Sequence, residues 1–394
     1  MSVTAPLGFR ASAAAAGIKA EGPDVALLVA DWGCSAAAVF TTNRAQAAPV
    51  VVSREHLAAG QARAVVVNAG CANAGTGEQG LRDAREMAAL VAGEIGCRPG
   101  EVVVASTGVI GVTLPMDKVR AGIAHAVPCL SRDGGAQAAR AILTTDTRPK
   151  ETVVEFPLDG HRATIGAMAK GSGMIAPNMA TMLAFFTTDA AVDPRLLHRA
   201  LREAVGASLN RITVDGDTST NDMAVVLASG AVPVKAVMEE GRDYDAFRSA
   251  LTEAAREIAG MIVRDGEGAT RVAEVRVEGA RVESEADRIA RTVAESPLVK
   301  TALNGGDPNW GRVLAAVGRA GVDVDMARVD LFLGDVWVAE DGRARAYDEE
   351  RARHALAEDP IRIRIRLKEG RASGWIWTCD LSHGYVDINA HYRS

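Results

Sequence analysis

Lys170-Gly171-Ser172-Gly173-Met174-Ile175-Ala176-Pro177-Asn178-Met179-Ala180-Thr181-Met182-Leu183 crosses the middle of the chain and leads into an apolar run, residues 183–188. A lysine opens the stretch, two glycines flank a serine, and a small residue meets a threonine at its end. The apolar run reads as a core strand. A threonine at the head of such a strand, after a glycine-rich approach, leaves two readings open. It is either an ordinary strand threonine or an N-terminal nucleophile uncovered when the chain cuts itself before Thr181. In the second case one residue supplies both the attacking hydroxyl and, through its new α-amine, the base.

The rest of the chain sets the scale for that choice. It has 394 residues, 48% of them apolar, with mean hydropathy near zero (+0.05). That length supports one large or two medium cores. Aromatics are only 4%, so those cores are expected to be built from Ala, Val, Leu and Ile, with 39 glycines allowing close backbone approach. The net charge of −6 is dispersed in both signs, with no basic stripe of the kind nucleic acid requires. No window reaches the length of uncharged apolar sequence that spans a bilayer. Cys34, Cys71, Cys97, Cys129 and Cys379 are widely spaced without a CxxC pair, which points to structural thiols in a reducing compartment. The first nineteen residues lack a continuous apolar segment and read as mature protein.

Hydrophobic periodicity predicts strands at 25–30, 36–41, 49–52, 64–68, 102–106, 152–156, 162–168, 272–277, 328–333, 361–367 and 373–378. It predicts helices at 80–95, 116–126, 136–143, 220–229 and 244–263. Asp159-Gly160 marks a hairpin. Asp193 and Pro194 open a helix to about Ala207, and Ser284 with Asp287 opens another that ends at Pro297. Residues 339–354 read as a solvated surface helix and loop. Strands and helices alternate in a layered α/β or α+β order.

Common catalytic signatures are missing: no GxxxxGK[ST], HExxH or GxSxG occurs, and no GxGxxG directly follows a strand run. The seven histidines have no metal-ligand spacing. Asp215-Gly216-Asp217-Thr218-Ser219-Thr220-Asn221-Asp222 does not fit the calcium-loop template and is expected to be a tight turn capping a helix at Thr220. Asn304-Gly305-Gly306-Asp307-Pro308-Asn309-Trp310-Gly311-Arg312 is either a turn into a helix or a substrate-side loop. Two features support the nucleophile reading of Thr181. Lys170 ends a strand where an ammonium meets a carboxylate. Thr107-Gly108 lies at a strand-to-turn junction, where a backbone N–H and a hydroxyl point at a developing oxyanion.

These residues, with others in order along the chain, resemble the ornithine acetyltransferase (glutamate N-acetyltransferase) family of arginine biosynthesis. The resemblance runs from Gly8-Phe9-Arg10 and Gly17-Ile18-Lys19 through Val67-Asn68-Ala69-Gly70-Cys71-Ala72-Asn73-Ala74, Ser106-Thr107-Gly108-Val109-Ile110-Gly111 and Thr144-Thr145-Asp146-Thr147. It continues through the 170–183 and 215–222 stretches, Asp265-Gly266-Glu267-Gly268-Ala269-Thr270-Arg271, Ser296-Pro297-Leu298-Val299-Lys300-Thr301-Ala302, Asp307-Pro308-Asn309-Trp310-Gly311-Arg312 and the tail from Tyr385 to Ser394. It implies an αββα sandwich of the N-terminal-nucleophile type with an additional C-terminal α/β subdomain from about residue 275.

It also implies cleavage between Ala180 and Thr181 into an alpha chain, 1–180, and a beta chain, 181–394, which assemble as a heterotetramer of two of each. Thr181 then carries an acetyl group from N-acetylornithine to glutamate. Thr107 and Gly108 resemble the oxyanion hole. Lys170, Thr181, Glu267, Asn389 and Ser394 resemble the substrate contacts, together with one of Thr144 and Thr145. His391 departs from the family's tail pattern. No metal or cofactor is implied, though acetyl-CoA would serve as a second donor in a bifunctional member. No nucleic acid or membrane partner is implied, and a cytoplasmic location is. Two alternatives differ in class: a self-processing threonine amidohydrolase or aminopeptidase, in which water takes the acyl group, and a non-catalytic binder of small anions.

Overall fold

Strand β1 (Phe9–Ala14) lies antiparallel against β2 (Val25–Phe40), and β2 shows why this chain forms sheets buried on both faces. Val25, Leu27 and Val29 join one core, while Ala26, Leu28 and Ala30 join another on the opposite face. Side chains alternate across a strand, so a continuous apolar run fills both faces. The computed structural model in which these elements are seen describes residues 2–176 and 182–391. It divides into two compact units. One comprises the described residues through Asn210 together with Asp217–Ile262; the other comprises Arg211–Gly216 and the described residues from Val263 onward.

The first unit contains, in chain order, α1 (Ala48–His56), β3 (Gln61–Cys71), α2 (Gly77–Ile95), β4 (Val102–Val109), α3 (Met116–Ala126), α4 (Gly135–Ala141), β5 (Lys150–Leu158), β6 (His161–Lys170), β7 (Leu183–Thr188) and α5 (Pro194–Gly206). The two-residue β8 (Ile212–Thr213) belongs to the second unit. β9 (Met223–Ala228) and most of α6 (Arg242–Arg264) complete the first. Its sheet runs β4-β3-β2-β9-β7-β6-β5, with β1 added beside β2. β3–β4 and β7–β9 are parallel; the other pairs are antiparallel. Helices α1, α2 and α3 cover one face through Val52, Met87, Val91 and Ile123, and α4 packs on the other through Ala138 and Ala139. A buried Val, Met or Ile side chain contributes about 1.5–3 kcal/mol. Helix α5 starts as its sequence predicts: Asp193 accepts from the backbone N–H groups of Arg195 (2.9 Å) and Leu196 (3.4 Å), a cap worth about 1 kcal/mol.

The second unit contains β10 (Val272–Ala280), α7 (Glu283–Ala294), α8 (Pro297–Gly305), α9 (Trp310–Gly318), β11 (Asp330–Leu333), β12 (Val336–Glu340), β13 (Arg343–Ala344), α10 (Glu349–Ala355), β14 (Ile361–Arg366), β15 (Ala372–Cys379) and α11 (His383–His391). Its sheet runs β13-β12-β11-β14-β10-β15-β8. In β14, Ile361, Ile363 and Ile365 are buried against α7 and α9, whereas Arg364 and Arg366 lie over the Phe332 ring on the other face. The layered α/β class expected from the sequence is present, with one helix-covered sheet in each unit.

Several local expectations are corrected. Residues 49–52 are helical, within α1. Pro49 occupies the first turn, where its missing N–H costs nothing, and Ser53 Oγ both donates to the Val104 carbonyl (2.7 Å) and accepts from its N–H (2.8 Å). Residues 220–229 are not a helix: Met223–Ala228 is a strand, all six residues buried between β2 and β7. A short run buried on every side carries no periodicity to separate strand from helix. The 215–222 stretch accordingly caps no helix. Residues 25–30 and 36–40 belong to one strand, which ends at Phe40. Val282, not Ser284, precedes α7, and Pro297 opens α8 as well as following α7.

Candidate active site

In the first unit, the oxyanion candidates Thr107 and Gly108 lie near the end of β4, half-exposed, paired in register with Ala69 and Gly70 of β3. Gly108 has φ +128°, and a Cβ there would fall 2.3 Å from the Gly70 carbonyl carbon and 2.6 Å from the Cys71 nitrogen. Only glycine fits that approach. A buried amide network holds this strand end. Ser106 Oγ donates to Asn68 Oδ1 (2.6 Å), and Asn68 Nδ2 donates to the Cys71 carbonyl (2.8 Å). Asn221 Nδ2 donates to the carbonyls of Ala72 (2.6 Å) and Ser106 (2.9 Å). Backbone fixed in this way is preorganised, so stabilising a developing charge would cost little rearrangement.

Lys170 ends β6, buried, with its ammonium 3.8 Å from Asp146. Asp146 is the hub of the cluster. It accepts from Lys150 Nζ (2.5 Å) and from the backbone N–H groups of Gly171 (2.6 Å) and Thr144 (3.1 Å). Burial alone would raise the Asp146 carboxyl, but the ammoniums of Lys170 and Lys150 and these hydrogen bonds outweigh it and hold the pKa at about 2. Thr145 Oγ1 meets Ser172 Oγ at 2.8 Å. One carboxylate thus brings Thr144, Gly171 and Lys170 together at the start of the glycine-rich stretch, where Thr145 meets Ser172. Asp146 was given no role by sequence reasoning; its place four residues before Lys150, inside Thr144-Thr145-Asp146-Thr147, was the available signal.

The glycine-rich stretch is pinned as far as Ala176. Ile175 bridges to Thr218, whose hydroxyl donates to the Ala176 carbonyl (3.0 Å), while Thr218 and Ser219 are tied to Asn43 and Thr41. Met174 sits at φ +55°, a costly conformation for a side chain of its size. Ala180 and Thr181 lie outside the described residues, as does Ser394. Met182, next in sequence to Thr181, is buried, and its carbonyl accepts from the Met223 N–H (3.0 Å). Beside Met223 lies Asp222, buried, with Oδ2 lacking a hydrogen-bond partner among the described residues. Burial pushes its carboxyl well above the ordinary range, against the pull of Ser219 and Lys170.

In the second unit, Asn389 Nδ2 of α11 donates to Glu267 Oε2 (2.8 Å) and to the Tyr385 carbonyl (3.0 Å). Gly268 makes this docking close: at φ +68°, a Cβ would fall 2.3 Å from the Tyr385 nitrogen. Ser382 Oγ donates to the Gly268 carbonyl (2.5 Å), and Asp380 accepts from the Thr270 and Arg271 N–H groups, the Thr270 hydroxyl and Asn304 Nδ2. The 304–312 stretch is the turn-and-helix alternative, with Asn309 capping α9. Among the described residues no cluster of His, Cys, Asp and Glu is arranged to hold a metal ion, and no helix is long and apolar enough to cross a membrane. The five cysteines are unpaired, and burial pushes Cys34 up to about 12.

This geometry sits within a chain that has close relatives. The ArgJ family model matches residues 10–394. The arginine biosynthesis bifunctional protein ArgJ of Symbiobacterium thermophilum is 53% identical over 395 residues, covering 100% of this chain and 98% of that protein. The protein of the same description from Caldanaerobacter subterraneus subsp. tengcongensis is 47% identical over 393 residues, covering 99% and 98%. Among solved structures, the arginine biosynthesis bifunctional protein of Bacillus halodurans is 43% identical with a TM-score of 0.51, covering 53% of this chain and 98% of that one.

Proposed function

Because the chain belongs to the ArgJ family, we propose that it is a glutamate N-acetyltransferase that cleaves itself between Ala180 and Thr181 and then carries acetyl from N-acetylornithine to glutamate on the Thr181 hydroxyl. The observation that carries this reading is the family match over nearly the whole length, with every matched site residue among those described lying in a built environment. The coverage of the Bacillus halodurans structure supports cleavage: nearly all of that chain aligns with about half of this one, as expected of one product of a central cut.

In self-cleavage the Thr181 hydroxyl attacks the Ala180 carbonyl carbon. The C–N bond breaks, the amine takes the proton, and water hydrolyses the resulting ester. The freed α-amine, with an ordinary pKa of about 7.7–8.0, then acts as base. It takes the hydroxyl proton as Thr181 attacks the acetyl carbonyl of N-acetylornithine, and returns it to the departing ornithine amine. Thr107 and Gly108 would hold the oxyanion. Lys170, with Thr144 or Thr145, would bind a substrate carboxylate, and Glu267, Asn389 and Ser394 the remaining polar groups. Glutamate enters the same site, and its amine takes the acetyl group, giving ping-pong kinetics. The relatives' description as bifunctional supports acetyl-CoA as a second acetyl donor. We further assign a cytoplasmic heterotetramer of two alpha and two beta chains.

The test is a denaturing gel followed by an acetyl-transfer assay. Wild-type protein gives two bands, residues 1–180 and 181–394, and forms N-acetylglutamate from N-acetylornithine and glutamate. Thr181→Ala stays a single band without activity. A fully active, uncleaved wild-type chain would sink the mechanism, and acetate release without N-acetylglutamate would favour the hydrolase. Replacing N-acetylornithine by acetyl-CoA tests the second donor.

A further inference from the structure

Lys19 belongs to none of the groups assigned above, yet the first unit is built to aim it. Asp24, fully buried, accepts from the backbone N–H groups of Ala16 (2.6 Å), Ile18 (2.5 Å) and Lys19 (3.0 Å), which closes the turn that presents the side chain. The Lys19 stem crosses Gly70, at φ +105°, where an added Cβ would lie 3.0 Å from Lys19 Cγ. Gly70 is the register partner of Gly108. The ammonium then reaches the Leu143 carbonyl (3.0 Å), next in sequence to Thr144 and Thr145. Lys19 therefore spans from the oxyanion strand pair to the Thr144–Lys170 cluster.

Its electrostatic surroundings leave it short of an anion. The charged groups acting on it are Asp24, Asp146 and Lys170. Asp24 is occupied by three backbone donors, and Asp146 by Lys150 and two backbone N–H groups. Burial pushes the Lys19 ammonium down, against the pull of Asp24 and Asp146 and with the push of Lys170. Among the described residues its ammonium has one hydrogen-bond partner, a neutral carbonyl, so two of its three donors remain for a ligand. A half-buried, desolvated ammonium beside a second ammonium is a strong seat for a carboxylate.

The chemistry identifies which carboxylate. In an N-acetylated amino acid, only the nitrogen and the α-carbon separate the acetyl carbonyl from the α-carboxylate, a few ångströms in bonded geometry. A cation for that carboxylate has to lie near the oxyanion site, and the Lys19 side chain passes Gly70, the register partner of Gly108, before its ammonium reaches the Leu143 carbonyl. We infer that Lys19 is a substrate-binding residue whose ammonium, together with that of Lys170, holds the α-carboxylate common to the acetyl donor and the acceptor. This rests on the acetyltransferase reading and adds a binding residue to it.

Lys19→Met and Lys19→Arg test the inference, with N-acetylornithine and its decarboxylated analogue N-acetyl-1,4-diaminobutane as donors. Wild-type acetyl transfer is measured first; its absence overturns the functional reading and this inference with it. Given wild-type transfer, Lys19→Met should self-process normally and raise KM for N-acetylornithine and for glutamate on the order of tenfold or more, the loss of a hydrogen bond to a charged group. Its kcat should change far less. The preference for N-acetylornithine over the decarboxylated donor should shrink by a similar factor, and Lys19→Arg should recover part of both effects. Unchanged KM and unchanged preference overturn the inference alone. So does an effect confined to glutamate, or a fall in kcat that leaves the preference intact.

Discussion

Asp146 and Asp222 are two buried carboxyls that titrate in opposite directions, and each predicts a different pH response. Asp146 is held at about 2, below its ordinary 3.8, by Lys170, Lys150 and backbone donors that outweigh its burial. Its contribution to stability is therefore present above about pH 4 and lost as pH falls toward 2. Asp146→Ala removes the carboxylate from a fully buried Lys150 and should cost about 3–5 kcal/mol by chemical denaturation. Adding Lys150→Met should recover part of that loss; an additive or larger loss would contradict the pairing. Asp222 is shifted upward by burial, so the folded state binds its proton more tightly than the unfolded chain, and stability declines as pH rises above about 4. Asp222→Asn should leave the melting temperature unchanged near pH 4 and raise it as pH climbs above that. A pH-independent gap would refute the upward shift of this carboxyl.

At the scale of elements, the proposed oxyanion site rests on the end of β4. Gly108→Ala places a methyl group into the Gly70 backbone at a positive φ and should disturb folding and activity together. Thr107→Val separates the two effects. The side chain is half-exposed and close to threonine in shape, so stability should move by less than about 1 kcal/mol. If its hydroxyl donates to the oxyanion, kcat should fall about 100-fold with little change in KM. An unchanged kcat would remove the Thr107 hydroxyl from the oxyanion site. The same strand shows what local sequence conveys: the run from Val102 announces a strand, but its approach to Gly70 is set by β3, thirty residues and more away.

For the molecule as a whole, the proposed cut falls inside a sheet rather than between domains. The first unit's sheet runs β4-β3-β2-β9-β7-β6-β5, with β7 and β9 following residue 181 and the other strands preceding residue 177. β7 bonds to β6 along one edge, and β9 bonds to β2 along another. Two backbone ladders and a shared core join the cleavage products, so they should elute as one species in native gel filtration and separate only on denaturation. Separate elution without denaturant would contradict this topology.

How much of this was legible in the chain depends on what each residue answers to. The amphipathic helices 80–95 and 244–263, the Asp159-Gly160 hairpin and the Asp193 cap follow from spacing and local hydrogen bonding, which operate within a few residues. The ordered motifs, taken together, carried the family and hence the residues to place at the site. Sequence alone left 220–229 misread as a helix and 49–52 as a strand, because residues buried on every side lose the polar contrast that reveals periodicity. It was equally silent on Asp146 as the hub that gathers Thr144, Gly171 and Lys170, on the upward-shifted carboxyl of Asp222, and on the reach of Lys19 across Gly70. Those are properties of burial and of contacts between segments far apart in the chain. Charge state and aim depend on the desolvation and the partners that folding imposes, so only the tertiary structure decides them.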